Sequence, residues 1–137
     1  PVRDPDQVKV GDIAVFDPGG GLVAHRIIRR HYRPEGVWFQ EKGDNNFYPG
    51  RVAAACIIGK VVSITTGARV VDLNQWHWKV INRLVGYYWQ WLFRIVDVLM
   101  ACRMMVFQNR RVRGIGRVFR AAIRRLVKLP TIFLRVR

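Results

Sequence analysis

Two short stretches hold the residue types from which acid–base chemistry is built. In Leu22-Val23-Ala24-His25-Arg26-Ile27-Ile28 the side chains alternate, so His25 shares a strand face with Val23 and Ile27 while Arg26 points to the other side. Burial against apolar neighbours disfavours the charged imidazole and keeps it neutral near pH 7, the state a general base needs once a partner orients the ring. The same placement also suits a core histidine whose hydrogen bonds are simply satisfied. The second stretch, Lys42-Gly43-Asp44-Asn45-Asn46, has turn chemistry: Gly tolerates positive φ, and Asp and Asn bond neighbouring backbone groups. It reads either as a plain turn or as the loop that sets Asp44 beside His25, the third group of a nucleophile–base–acid constellation.

Such residues need a scaffold, and the chain of 137 residues, half of them hydrophobic, can bury one core of ordinary domain size. That content excludes intrinsic disorder. The first half predicts a mainly β fold. Val8, Val10, Ile13, Val15 and Phe16 surround a Gly11-Asp12 turn, Leu22 to Ile28 follows Pro18-Gly19-Gly20-Gly21, and Val37 to Gln40 follows Pro34-Glu35-Gly36. Ile57 to Ile64 is rich in β-branched residues, and a short strand from Ala68 to Leu73 is expected to close a small barrel-like or sandwich domain over residues 1–74.

Charge divides the chain at that point. Residues 1–74 carry 10 basic and 8 acidic side chains, whereas residues 75–137 carry 14 basic ones and a single acid, Asp97; together these give the chain its +15. A balanced domain followed by a cationic helical appendage, residues 75–137, reads as a catalytic or binding unit with an electrostatic docking tail. Between Lys79 and Asp97 the polar or small residues Lys79, Asn82, Arg83, Gly86, Gln90, Arg94 and Asp97 recur at three or four, one stripe on a helix otherwise covered in Trp, Tyr and aliphatic side chains. After Asn109 a second helix is expected, with Arg113, Arg117, Arg120, Arg124 and Lys128 on one face.

Leu84 to Phe107 is long enough to cross a bilayer, but Arg94, Asp97 and Arg103 each cost about 3 kcal/mol at mid-membrane, against about 0.5 kcal/mol returned by each strongly apolar residue. The Arg94 and Asp97 pair, one turn apart, offsets part of that cost. The balance favours a helix lying in the interface or packed on the β-domain over a spanning one. Trp89 and Trp91, with Arg113, Arg117, Arg120 and Arg124, are the expected membrane-docking residues, since amphipathic rings and clustered arginines suit the headgroup level of an anionic leaflet. The same features allow a different class of partner, nucleic acid, through phosphate neutralisation and base stacking, but no recognised nucleic-acid motif accompanies them.

Cys56 and Cys102 both lie in apolar runs and read as two buried thiols, too few for a disulfide framework. Three scattered histidines and two distant cysteines make no zinc spacing, so neither metal nor organic cofactor is implied.

Taken in order, four segments resemble the successive boxes of signal-peptidase-type serine peptidases: Val8-Lys9-Val10-Gly11-Asp12-Ile13-Ala14-Val15-Phe16, Val23-Ala24-His25-Arg26-Ile27-Ile28, Phe39-Gln40-Glu41-Lys42-Gly43-Asp44-Asn45-Asn46 and Ile57-Ile58-Gly59-Lys60-Val61-Val62. The closer likeness is to the branch whose base is His, as in the endoplasmic-reticulum type. It covers Val8 to about Ser63 and extends more weakly into the Trp-rich stretch, which resembles the tails of small bacterial members. The resemblance implies a mostly β serine endopeptidase that cleaves precursor polypeptides after small residues at a membrane surface, here the inner membrane of a bacterium. His25 matches the general base, and Gly43, Asp44, Asn45 and Asn46 match the Gly-Asp-Asn-Asn turn.

The chain departs from that pattern twice. The family's Gly-x-Ser-Met-x-Pro nucleophile box precedes the Gly11-Asp12 box, whereas the one serine here is Ser63, after the last motif. Beginning at Pro1, the chain is expected to be the C-terminal portion of such an enzyme, inactive alone. In the endoplasmic-reticulum type an acid follows the turn by a few residues; here Tyr48-Pro49-Gly50-Arg51 stands there. Three expectations remain open: Asp44 serves instead, a Ser-His pair operates alone, or the protein is an inactive relic.

Overall fold

The computed structural model describes residues 7–44, 46 and 48–107, with side chains through residue 102. The order is β1 (Ile13–Phe16), β2 (Val23–Arg33), β3 (Gly36–Lys42), β4 (Gly50–Ala53), a 3-10 turn (Ala54–Cys56), β5 (Ile57–Lys60), β6 (Ser63–Thr66), β7 (Arg69–Asp72) and the helix α1 (Trp76–Phe107). The fold is mainly β. Five strands form an antiparallel sheet in the order β4-β3-β2-β1-β5, and β6 and β7 pair with each other.

The five-stranded sheet follows from the alternation in the sequence. Val8, Ala14, Phe16, Ile27, Phe39, Val52 and Ile57 close into one buried cluster on one face. Strand β2 continues five residues beyond the expected Ile28, through the charged run Arg29 to Arg33, because β3 pairs with it along its whole outer half. Cross-strand pairing, not hydrophobicity, carries that extension. The expected long strand from Ile57 to Ile64 is broken after Lys60. The short strand expected to close the domain instead pairs only with β6, as a separate two-stranded ribbon.

The opposite face of the sheet is charged. Arg26 and Lys42 sit there, buried to 2% and 0% exposure. The first turns of α1, through Gln90, belong to the same compact unit as the sheet, beyond the charge boundary at residue 74. They cover this face with Asn82, Gly86 and Trp89. Gly86 and Gly11 let the two backbones meet: a Cβ on Gly86 would stand 2.7 Å from the Gly11 nitrogen, and Gly11 has φ +97°, a conformation that favours glycine. The polar stripe of α1 is therefore in part its buried contact face. Trp76, Val80, Leu84 and Tyr87, at helical spacing, face water instead. A sheet face holding two cations selects an amide, a small residue and an aromatic ring as its cover rather than aliphatic side chains.

A second unit begins at Trp91. Within its described part, Trp91, Ile95 and Val98 are exposed. Among the described residues no helix is long and apolar enough to cross a membrane. Cys56 and Cys102 are exposed free thiols, not the buried ones expected; the first ends the 3-10 turn and the second lies on α1. The expected second helix, with Arg113, Arg117, Arg120 and Arg124, lies outside the described residues.

Candidate active site

Strand β2 places His25 opposite Ala14 of β1, on the core side of the sheet, with its ring edge-on to Phe16 at 5.8 Å. Its Nδ1 lies 2.6 Å from Oε2 of Glu41 on β3. The side chains of the two residues are 21% and 12% exposed, so the pair is withdrawn from bulk water yet open to an approaching group. A carboxylate on Nδ1 favours the tautomer that carries its proton there, leaving the lone pair on Nε2. Among the described residues Nε2 has no hydrogen-bond partner.

Two glycines make this geometry possible. A Cβ on Gly50 would collide with Oε1 of Glu41, and one on Gly43 would stand 2.8 Å from Nε2 of His25. The bare side of Gly50 houses the acid, and the bare side of Gly43 leaves room for Nε2 of His25 and for the Asn46 amide, whose Nδ2 lies 2.9 Å from where that Cβ would stand.

A β-bulge brings Glu41 to His25. Counting outward from the Pro34-Glu35 turn, Arg33 pairs with Gly36 and Arg29 with Gln40; the same register would set Glu41 opposite Ile28, on the face away from His25. Ile28 is the extra residue, and beyond it Ile27 pairs with Glu41. One inserted residue thus moves the carboxylate onto the histidine's face.

Asp44, expected beside His25, stands on the other side of the sheet. It accepts hydrogen bonds from Arg26 Nε at 3.1 Å and Nη2 at 2.9 Å, a bidentate pair. Arg26 Nη1 donates to the Gly11 carbonyl at 2.9 Å and to Asn82 Oδ1 at 2.8 Å. A guanidinium buried this deeply needs a counter-charge, and the alternation that turns His25 inward turns Arg26, and with it Asp44, the opposite way. Lys42 lies on the same face. Its Nζ donates to the Gly43 carbonyl at 2.6 Å and sits 4.1 Å from the centre of the Trp89 ring. Burial holds its pKa down at about 8, partly opposed by the carboxylates of Asp44 and Glu41.

Trp89, expected to dock on a membrane, is fully buried over Lys42, whereas Trp91 is 64% exposed. Glu41 is the site residue that sequence reasoning missed. Its signal was there, a carboxylate two residues before Gly43 on the neighbouring strand, but the bulge that brings it to the right face is not written in the hydrophobic pattern. Ser63 is exposed on β6, opposite Asp72 in the two-stranded ribbon. No group of His, Cys, Asp and Glu suited to a metal ion occurs among the described residues.

No family model, curated protein or solved structure matches the chain. What unites the four sequence motifs is their position: they supply β1, β2, β3 and β5, neighbours in one sheet, and the Gly11-Asp12 turn is pinned to the strand of His25 by Gly11 N–H to Ile27 O at 2.7 Å and Ile27 N–H to Asp12 O at 2.8 Å.

Proposed function

We propose that this chain is the base-bearing part of a serine endopeptidase of signal-peptidase type, with His25 as general base and Glu41 as the acid that orients it. The observation that carries this reading is the 2.6 Å contact between Nδ1 and the Glu41 carboxylate, with Nε2 left unpartnered among the described residues. In the reaction, Nε2 takes the proton from a serine hydroxyl as its oxygen attacks the scissile carbonyl carbon. Glu41 stabilises the imidazolium that forms, and the imidazolium then gives its proton to the leaving amine. Water repeats the sequence on the acyl-enzyme. Ser63, on the ribbon of β6 and β7, is not the nucleophile in this reading; the hydroxyl comes from a Gly-x-Ser-Met-x-Pro segment outside these 137 residues. Precursor polypeptides cleaved after small residues are the substrates that the family resemblance implies.

The reading includes attachment to an anionic membrane surface, at the inner membrane of a bacterium. It is supported by the outward apolar residues Trp76, Val80, Leu84 and Tyr87 of α1, by exposed Trp91, and by the excess of basic residues after position 74.

The test is to express the chain with the in-frame coding sequence upstream of Pro1. The product is expected to react with a fluorophosphonate at the serine of that segment and to cleave a precursor peptide, and His25→Ala is expected to abolish both. An upstream sequence without such a serine, or full activity in His25→Ala, contradicts the proposal.

A further inference from the structure

The register of β2, β3 and β4 sets Arg29, His31, Arg33, Trp38 and Arg51 on one face of the sheet, the face that also carries Arg26 and Lys42. The first half of α1 covers Arg26 and Lys42 but leaves the outer end of the face open. There His31, Arg33, Trp38 and Arg51 line a cleft of about 160 Å³. Arg33 and Arg51 are exposed, while His31 and Trp38 are half-buried. None of the lining residues is acidic; the nearby carboxylate is Glu35, in an exposed pair with Arg33 at 3.6 Å.

We propose that this cleft binds the phosphate headgroup of an anionic phospholipid. Two guanidiniums at its rim offer bidentate donors to phosphate oxygens, and the indole of Trp38 supplies an amphipathic wall of the kind favoured at headgroup depth. Its occupant is identified as lipid by what lies on the same side of the sheet. The helix packed over this face turns Trp76, Val80, Leu84 and Tyr87 outward, an apolar surface that suits acyl chains and not a nucleic-acid backbone. Supporting this, His31 is held below the usual imidazole range by desolvation first and then by the charges of Arg29, Arg51 and Arg33, so positive potential converges on the cleft. The inference rests on the membrane-surface reading above and adds a specific headgroup site to it.

The experiment follows the His31 ring by NMR in the 137-residue chain while soluble dihexanoyl phosphatidylglycerol is added. Dihexanoyl phosphatidylcholine, inorganic phosphate and a single-stranded oligonucleotide are run alongside. Phosphatidylglycerol is expected to move the His31 titration upward by about 1 pH unit, since a bound anion favours the imidazolium. The Arg33→Gln/Arg51→Gln variant, changed at two exposed positions, should lose that response and bind phosphatidylglycerol vesicles about tenfold more weakly. No movement of His31, an equal movement with phosphatidylcholine, inorganic phosphate or the oligonucleotide, or unchanged vesicle affinity in the variant would overturn the site. Leu84→Ser/Tyr87→Ser separates the two readings. If it leaves vesicle binding intact while His31 still responds to the soluble lipid, docking through the helix fails and the cleft stands.

Discussion

Glu41 holds Nδ1 of His25 at 2.6 Å from a position opposite Ile27, and its other carboxylate oxygen occupies the space that a side chain on Gly50 would fill. In the family that the motifs resemble, the acid follows the Gly-Asp-Asn-Asn turn, in the stretch where this chain has Gly50. Here an acid from the preceding strand reaches the histidine, and the glycine is what admits it.

Removing that acid should free the ring. Glu41→Ala is expected to mix the two neutral tautomers of His25, read from its ring nitrogen shifts by NMR, where the unaltered chain shows Nδ1 protonated. In the serine-bearing form proposed above, the same change should lower the rate by about 10⁴-fold, the scale of a triad that has lost its orienting acid. Gly50→Ala should act in the same direction, through collision with the Glu41 carboxylate, at a stability cost of about 1–3 kcal/mol. Glu41→Ala/Gly50→Asp, which returns the acid to the resembled position, should recover part of the lost rate. If that double variant is no better than Glu41→Ala, the two positions are not interchangeable.

Asp44 gives the complementary outcome. Asp44→Asn leaves the buried Arg26 without its bidentate counter-charge and is expected to cost about 2 kcal/mol, the scale of a hydrogen bond to a charged group, seen as a lower urea midpoint. The His25 tautomer should not change, because Asp44 bonds Arg26 on the opposite face of the sheet. A tautomer change as large as that of Glu41→Ala would return Asp44 to the role first expected for it.

These two carboxylates show what the sequence made legible. Alternation in Leu22 to Ile28 was enough to set His25 inward and Arg26 away from it, and β-branched and turn residues were enough to mark most of the sheet. The partner of His25 was not legible, since it depends on the bulge at Ile28, a one-residue change of register that no local propensity announces. The face by which α1 packs on the sheet was not legible either. Asn82, Gly86 and Trp89 look polar, neutral and interfacial in isolation; they become a buried face only because the sheet presents Arg26 and Lys42 to them. Strand register decides the first case and tertiary charge the second.

Lys42 gives the fold a pH dependence. Its pKa is about 8 in the folded chain against the ordinary 10.5, so between those values the unfolded chain binds more protons and stability rises with pH. Below pH 8 the cost of the buried ammonium is fully present, moderated by the Trp89 ring and the Gly43 carbonyl. Measured by urea unfolding, the stability of the unaltered chain relative to Lys42→Met should improve by about 3 kcal/mol from pH 7 to pH 11. A pH-independent difference would mean that Lys42 titrates as it does in water.

The proposed function depends above all on His25 acting as a general base toward a serine hydroxyl. Its most direct test is the rate of fluorophosphonate labelling in the serine-bearing chain, compared between the unaltered protein and His25→Ala. Stoichiometric labelling of one serine is expected, lost in His25→Ala and slowed by several powers of ten in Glu41→Ala. Equal labelling rates in all three proteins would contradict it.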